Sequence, residues 1–293
     1  MCSKRLANVD QNQGQLYLVA TPIGNLGDMT PRAIETLKSV SYVLAEDTRV
    51  TRKLCTCFEI DTPLIRFDEN VSQRKTPEMI DLLENGQSLA LVSDAGTPCV
   101  SDPGNNLASA ARDAGIEVVA IPGASAALVA LAAGGILGST FYFAGFVPRK
   151  KGEQKTVFEY AGALDCPCIF FESPHRVTAT VEFLAELYPR RQCVLARELT
   201  KLHEEVVRLP LSELAENLKA RDVIKGEIVL VLGPPTDEER AVHHKMGEAQ
   251  AEELLFTKME QGLSKSQAVK ETVFETGLAR NVVYALALKL QKN

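Results

Sequence analysis

The sequence is poor in aromatic residues and lacks the features of secreted or membrane-spanning proteins. Its 293 residues include no tryptophan and only 6% aromatic residues. No apolar run reaches the roughly 18 residues that a transmembrane helix needs. The longest candidate, the Ala-rich stretch Ala124 to Leu137, instead predicts a buried helix. Met1 to Gln13 is polar and has no apolar core before a small-residue cleavage site. We therefore expect residues 1–13 to be a flexible tail of a cytoplasmic protein that does not contact membranes.

The cysteines do not follow a metal-binding or disulfide pattern. There are seven, an odd number, and Cys55-x-Cys57 and Cys166-x-Cys168 have one intervening residue where zinc and redox motifs usually have two. This spacing favours reduced structural thiols and predicts no metal.

Acidic residues outnumber basic ones, and the net charge of −6 argues against a general nucleic-acid coat protein. Residues 240–293 carry eight Lys or Arg and six Glu, which makes this tail +2 and leaves −8 on the rest. Further basic residues cluster at Arg149-Lys150-Lys151 and Arg190-Arg191. A local basic face therefore stays open as a nucleic-acid contact.

Short apolar runs alternate with amphipathic stretches, a rhythm that predicts βαβ units and an α/β fold. The first runs favour a mainly parallel sheet. The later runs Gln192 to Arg197 and Glu204 to Leu209 are too close for a crossover helix, which predicts an antiparallel pair in a mixed second sheet. We predict an N-terminal α/β domain, a C-terminal α/β domain and a helical extension, at residues 14–121, 122–236 and 237–293. The extension is either a helix-turn-helix-like RNA contact or a packing or dimer-stabilising bundle.

Three loops that follow predicted strands are the candidate binding sites, because ligands of open α/β sheets bind beyond the carboxyl ends of the strands. The loop Ala20 to Asp28 is rich in glycine but contains neither G-x-G-x-x-G nor Gly-Lys-Ser/Thr, which disfavours dinucleotide and P-loop sites. In the loop Ser93 to Gly104, Asp94 is suited to a hydroxyl or a positive charge, and Gly96 permits close backbone approach. At Pro122 to Ala126, a helix start with Ser125 is suited to a carboxylate. Each loop also has an ordinary structural explanation as a turn or helix cap.

Four motifs in this order resemble the tetrapyrrole-methylase superfamily of class III S-adenosylmethionine-dependent methyltransferases, and within it a branch that methylates ribosomal RNA. They are Leu18-Val19-Ala20-Thr21-Pro22-Ile23-Gly24-Asn25-Leu26-Gly27-Asp28, Glu46-Asp47-Thr48-Arg49, Val92-Ser93-Asp94-Ala95-Gly96-Thr97-Pro98 and Glu172-Ser173-Pro174-His175-Arg176. The resemblance covers about residues 14–236, and the C-terminal helices also suit this branch.

The resemblance implies a two-domain tetrapyrrole-methylase-like fold with a small helical appendage. It implies 2′-O-methylation of a cytidine ribose in the decoding region of 16S rRNA, by a homodimer. The acidic net charge with local basic patches separately favours the assembled small ribosomal subunit over bare RNA as the substrate. The implied cofactor is S-adenosylmethionine, held by Asp94, Ala95, Gly96, Thr97, Pro98, Ser125, Ala126, Phe171, Gly226 and Glu227.

Methyl transfer to a ribose hydroxyl is helped by a base or a positive charge near the weakly acidic hydroxyl. The predicted catalytic residues are His175, Asp47 and Glu172, with His175 as one candidate proton acceptor and a helix-capping or solvent-facing side chain as the alternative. The predicted substrate-binding residues are Pro22, Asn25, Arg49, Arg66, Arg176 and Arg197. A guanidinium suits a phosphate, although some of these arginines are expected to pair with acids such as Asp47, Asp68 or Glu198.

Two other functions remain open from the sequence. A small-molecule methyltransferase acting on a porphyrin or corrin is disfavoured, because the first loop is not of the Gly-Pro-Gly type of those enzymes. A non-catalytic ribosome assembly factor is disfavoured by the intact Asp94 to Pro98 loop. Binding of S-adenosylmethionine distinguishes the second alternative.

Overall fold

The computed structural model describes residues 13–99, 104–136, 138–276, 278 and 280–290. The predicted tail, residues 1–13, lies outside these ranges except for Gln13. Within them, no helix has both the length and the apolar character needed to cross a membrane. The chain forms two compact units: the first holds the chain up to Ala161 and Cys166–Gly233, the second holds Gly162–Asp165 and the chain from Pro234. The predicted division of the first unit at residues 121 and 122 stays a prediction.

The first sheet is parallel throughout, as the repeated βαβ pattern predicts. Its five strands lie in the order β3-β2-β4-β1-β5. The central strand β4 is buried at every position, which explains its unbroken apolar run. The strands are β1 (Leu16–Val19), β2 (Tyr42–Ala45), β3 (Leu64–Arg66), β4 (Leu89–Val92) and β5 (Val118–Ile121).

Four helices follow the strands of this sheet, and side-chain caps begin three of them. Thr30 caps α1 through its side-chain oxygen, with Pro31 at the first helical position. Asp68 accepts hydrogen bonds from the N–H groups of Asn70 and Val71, so α3 begins at Glu69. The helices are α1 (Pro31–Ser39), α2 (Thr48–Cys57), α3 (Glu69–Glu84) and α4 (Asn105–Asp113).

The second sheet is mixed, as predicted. Its order is β6-β7-β10-β8-β9; β6 and β7 are parallel and the other neighbours are antiparallel. The closely spaced runs form the antiparallel pair β8–β9, and the central strand β10 is buried at every position. The strands are β6 (Tyr142–Phe146), β7 (Cys168–Glu172), β8 (Gln192–Arg197), β9 (Glu205–Pro210) and β10 (Ile228–Leu232).

The helices of the second sheet are α5 (Ala126–Gly134), α6 (Lys151–Ala163), α7 (Val177–Leu187) and α8 (Leu211–Lys219). The Ala-rich stretch is helical as predicted but only partly buried. Ala127, Ala130 and Gly134 face the core, whereas Leu128 is 51% exposed. Small residues on the buried face allow α5 to lie close to the sheet.

The second unit contains α9 (Asp237–Glu260), α10 (Lys265–Thr276) and α11 (Arg280–Leu290). These helices share their own apolar core, which includes Leu255, Val269 and Leu286. The first of these helices begins at Asp237, the first residue of the predicted helical extension. Thr236 and Glu239 form a reciprocal capping box that starts the helix directly after the Pro234-Pro235 pair.

Candidate active site

Three loops at the carboxyl edge of the first sheet are joined to one another by hydrogen bonds. The backbone groups of Thr21 and Gly96 exchange two hydrogen bonds of 2.9 and 3.1 Å, which tie the loop after β1 to the loop after β4. The Thr97 hydroxyl donates to the Ala124 carbonyl at 3.3 Å, which ties the second loop to the third. Gly96 has φ +87°, a conformation that favours glycine. The three loops therefore form one connected surface.

This surface forms one wall of a cavity of about 400 Å³, and the second sheet forms the other. The volume is within the range of pockets that hold small-molecule ligands, about 300–1,000 Å³. All the predicted cofactor-binding residues except the buried Pro98 line it. The lining consists of Ile23, Glu46, Asp94, Ala95, Gly96, Thr97, Ser125, Ala126, Ala127, Phe146, Phe171, Glu172, Ser173, Pro174, Gly226, Glu227, Ile228 and Val229.

The first-sheet side of the cavity is acidic. Glu46 and Asp94 both line it, and the Asp94 carboxylate accepts a 3.1 Å hydrogen bond from the backbone N–H of Asp47. Burial raises the pKa of Asp94, and the Asp47 N–H opposes that shift. A partly desolvated carboxylate of this kind is suited to a positively charged ligand.

The second-sheet side of the cavity contains the buried carboxylate of Glu172, which binds other groups of the protein. Glu172 has a fully buried side chain that pairs with the Arg176 guanidinium at 2.6 Å and accepts hydrogen bonds from the Thr180 hydroxyl and the Ser173 N–H. Arg176 also donates to the carbonyls of Pro148 and Val147, at 3.1 and 3.0 Å. Glu172 and Arg176 thus fix the ends of β6 and β7 where both strands reach the cavity.

A third corner is formed by Gly226, which has φ +96°. A Cβ atom added there would lie 2.4 Å from the Glu198 side chain, so this position excludes other residues without rearrangement. Lys201 donates to Glu198 at 2.8 Å and to the cavity residue Glu227 at 3.1 Å. Burial lowers the pKa of Lys201, but the two carboxylates outweigh it and raise the pKa overall. These ion pairs hold the segment before β10 in place.

The three predicted catalytic side chains do not converge on one point. Glu172 lines the cavity, whereas Asp47 and His175 are not among the lining residues. Asp47 caps α2, and its ion pair with Arg49 lowers its pKa. His175 is exposed, on the turn that follows the lining residues Ser173 and Pro174. The Ser173 hydroxyl accepts a hydrogen bond from the His175 backbone N–H at 3.3 Å.

None of the predicted RNA-binding residues is among the lining residues of the cavity, and each arginine has an acidic partner. Arg49 pairs with Asp47 and Arg66 with Asp68, and both guanidinium groups are largely exposed. Arg197 pairs with Glu205 rather than Glu198, and Arg176 pairs with Glu172. Asn25 caps the short helix Leu26–Asp28, and Pro22 is half-buried in the same loop, next to the cavity residue Ile23. The exposed pairs are the ones that a phosphate can open at least cost.

Sequence reasoning missed the contribution of Phe146, an exposed ring at the end of β6 that lines the cavity. The basic run Arg149-Lys150-Lys151 begins three positions after it, and the sequence analysis uses this run only as a sign of local positive charge. An aromatic residue three positions before a basic run is a signal that could have marked this strand end. Glu46, Ser173 and Pro174 belong to the four motifs and also line the cavity, which the sequence did not predict.

Three of the described cysteines are fully buried, Cys55, Cys168 and Cys193. Within the described ranges, no group of three or more His, Cys, Asp or Glu side chains is placed to hold a metal ion. Burial raises the pKa of Cys193 to about 12 and that of Cys168 likewise to about 12. Both are therefore protonated and unreactive near neutral pH.

Comparison with known proteins shows to which family the chain belongs. Residues 15–215 match the family Tetrapyrrole (Corrin/Porphyrin) Methylases. The chain is 42% identical over 279 residues to ribosomal RNA small subunit methyltransferase I of Synechocystis sp., which covers 95% of this chain and 99% of that protein. It is 41% identical over 278 residues to the protein of the same name from Bacillus subtilis, covering 94% and 95% respectively.

A solved structure has the same fold. Uroporphyrin-III C-methyl transferase from Thermus thermophilus, complexed with S-adenyl homocysteine, gives a TM-score of 0.53 at 19% identity, covering 75% of this chain and 97% of that chain. The fold is therefore that of the tetrapyrrole methylases. Within that class, the chain belongs to the family of ribosomal RNA small subunit methyltransferase I. The resemblance of the four motifs is confirmed.

Proposed function

We propose that the protein transfers the methyl group of S-adenosylmethionine to the 2′-hydroxyl of a cytidine ribose in the decoding region of 16S rRNA. Family membership supports the coarser statement, S-adenosylmethionine-dependent methylation of small-subunit ribosomal RNA. The observation that carries the proposal is the cavity itself. Three loops of the first sheet and the edges of β7 and β10 meet around a volume suited to this cofactor.

The lining residues suit the parts of the cofactor. The Asp94 carboxylate matches a positive charge, and the N-terminus of α5, at Ser125 to Ala127, matches the cofactor carboxylate. Gly96 and Gly226 allow close backbone approach. When bound, the cofactor supplies an activated methyl group, and the protein's own residues orient it and exclude water.

The residues that assist the acceptor belong to the proposal as well. Asp47, Glu172 and His175 remain the candidates for catalysis. Glu172 is suited to positioning, because its carboxylate is fully buried and paired with Arg176. His175 and Glu46 are better suited to accept a proton. His175 is exposed beside the cavity wall, and Glu46 lines the cavity.

Recognition of RNA is proposed for Pro22, Asn25, Arg49, Arg66, Arg176 and Arg197. Arg49 is the best placed for a phosphate, because its side chain is 87% exposed and its N–H groups already bind the carboxylate of Asp47. Arg176 contributes indirectly, through the backbone of Val147 and Pro148. The proposed homodimer rests on the family resemblance. The assembled small subunit as substrate is proposed from the acidic net charge with local basic patches, and the cytoplasmic location from the cysteine pattern and the polar N-terminus.

The test is methyl transfer to small ribosomal subunits purified from a strain that lacks this gene. With labelled S-adenosylmethionine, we expect one ribose methylation in the decoding region, mapped by primer extension at low nucleotide concentration. The variant Asp94→Lys should give no transfer while keeping its unfolding transition, since it places a cation where a cationic ligand binds. Methylation of a base, of a site outside the decoding region, or of a porphyrin precursor instead would contradict the proposal.

A further inference from the structure

A β-bulge turns the ring of Phe146 toward the cavity. In a regular strand, residues three apart point to opposite faces. In β6, however, the register to β7 shifts between Phe143 and Gly145, and Gly145 has φ +72°. The rings of Phe143 and Phe146 both pack edge-on against Phe171, with centroid distances of 5.0 and 5.4 Å. Bulges beside binding sites commonly redirect a side chain in this way.

The ring that the bulge redirects is left open to solvent. Phe146 is 61% exposed although it lines the cavity, whereas Phe171 behind it is half-buried and also lines the cavity. Phe171 thus supports an aromatic face at the mouth. A flat apolar surface of this kind binds a flat ligand by stacking.

The backbone that carries this ring is held in place. Arg176 donates to the carbonyls of Val147 and Pro148, and it is itself fixed by the buried carboxylate of Glu172. The position of Phe146 is therefore set by hydrogen bonds on its C-terminal side and by the edge-to-face contact between its ring and that of Phe171. A ring held in this way loses little conformational freedom when a ligand stacks on it.

Three exposed basic residues follow the ring within five positions. They are Arg149, Lys150 and Lys151. Lys150 pairs with Glu153, but both side chains are more than half exposed, so this pair is weak. An exposed aromatic ring next to exposed cations is the surface that single-stranded nucleic acids use, since bases stack on the ring and phosphates bind the cations.

We propose that Phe146 is the platform on which the base of the nucleotide to be methylated stacks, and that Arg149 binds a neighbouring phosphate. This inference rests on the proposed function, because it assigns the acceptor side of the same cavity. S-adenosylmethionine is a poor occupant of this platform. It carries a positive charge, which the three cations repel, whereas Glu46 and Asp94 on the first-sheet side attract it.

Kinetics of matched variants test the platform. Phe146→Leu removes the aromatic face and keeps an apolar side chain of similar length. We expect KM for small ribosomal subunits to rise about five- to fiftyfold, with the dissociation constant of S-adenosylmethionine changed less than twofold. Phe146→Tyr should restore most of the lost affinity. Phe141→Leu is the control, because Phe141 is also exposed but immediately precedes β6, whereas Phe146 ends it; this variant should leave KM unchanged.

The absence of tryptophan allows a direct measurement of stacking. Phe146→Trp creates the single tryptophan of the chain. Its fluorescence should be quenched by a short cytidine oligoribonucleotide, and much less by the same oligonucleotide with abasic ribose units. Arg149→Gln, made in the Phe146→Trp protein, should weaken both titrations.

The outcomes separate the two proposals. Equal quenching by the normal and abasic oligonucleotides would exclude stacking, as would an unchanged KM in Phe146→Leu. Quenching by S-adenosylmethionine alone, with weaker cofactor binding in Phe146→Leu, would assign the platform to the cofactor and overturn the inference. If the wild-type protein methylates no ribosomal RNA, the proposed function fails, and the fluorescence titrations still decide whether Phe146 stacks on bases.

Discussion

Two effects shift the pKa of Asp94, a cavity residue, in opposite directions. Burial of its carboxylate raises its pKa, and the hydrogen bond from the Asp47 N–H lowers it, with a net rise above the ordinary value. An ordinary aspartate titrates near about 3.9. Asp94 therefore takes up its proton at a higher pH than an aspartate with the ordinary pKa does. Protonation removes the negative charge that we assign to cofactor binding.

We expect the affinity for S-adenosylmethionine to fall as the pH is lowered through the pKa of Asp94. The sign follows from linkage: a cationic ligand favours the ionised carboxylate, so binding weakens once the free protein is protonated. Asp94→Asn should bind about tenfold more weakly near neutral pH and should lose this pH dependence. Calorimetric titrations across the acidic range measure both effects.

Asp113→Asn is the matched control, because Asp113 is exposed at the end of α4 and should leave the titration curve unchanged. Parallel curves for the wild type and Asp94→Asn would remove Asp94 from the cofactor site.

At the residue scale, the sequence predicts which loop residues lie together where the fold itself brings them to one edge of a sheet. Asp94, Thr97 and Ser125 follow parallel strands, and the carboxyl ends of such strands meet at one edge. Phe146 could not be predicted in this way. Its direction depends on the bulge at Gly145, and a one-residue shift in register is invisible to a period-two pattern. His175 was chosen for its chemistry, and chemistry alone does not determine which way a side chain points.

At the scale of elements, α5 couples the second sheet to the cavity. Its first residues line the cavity, and its last residue, Gly134, lies against β8. A Cβ atom at Gly134 would stand 2.6 Å from Cγ2 of Val194, closer than any ordinary contact. Ala127, Ala130 and Val194 belong to the same apolar core. The helix can lie this close only because its contact residues are small.

Gly134→Ala should therefore destabilise the protein, by about 1–3 kcal/mol, because the added methyl overpacks the contact with Val194. A displaced α5 should also weaken cofactor binding, since its N-terminus moves with it. Gly152→Ala is the control: Gly152 lies in α6 with open space around its Cα, so the higher helix propensity of alanine should stabilise by up to about 1 kcal/mol. Urea unfolding measures both. A shift of both midpoints in the same direction would show that the contact with Val194 is not limiting.

The elements themselves were predictable where apolar residues recur at a regular spacing or a cap stands out. Thr30-Pro31 marks α1, and the unbroken apolar runs mark β4 and β10. The prediction missed α2, because only two of its residues, Thr51 and Cys55, are buried and one of them is polar. That helix depends on its cap, Asp47, and on contacts that only the folded chain provides.

At the scale of the whole molecule, charge and proposed function are opposed, since an acidic chain is proposed to act on a polyanion. The net charge is −6, and Arg49, Arg66 and Arg197 are each paired with an acid. Long-range attraction to bare RNA is therefore weak. Binding must come from local contacts, such as Arg149 beside Phe146, that are complementary to one folded surface.

This balance predicts a preference for the assembled small subunit over naked 16S rRNA. An assembled particle fixes the decoding region in one shape, so that a few local contacts form together without an ordering cost. Naked rRNA offers the same phosphates in many arrangements, and the acidic surface repels most of them. We expect kcat/KM to be higher on subunits at every salt concentration.

The rate on subunits should also depend only weakly on salt concentration, because few phosphates are neutralised. Initial rates on both substrates at matched salt and magnesium measure this preference. Equal rates, or a steep salt dependence on subunits, would mean that phosphate contacts dominate and that shape does not select the substrate.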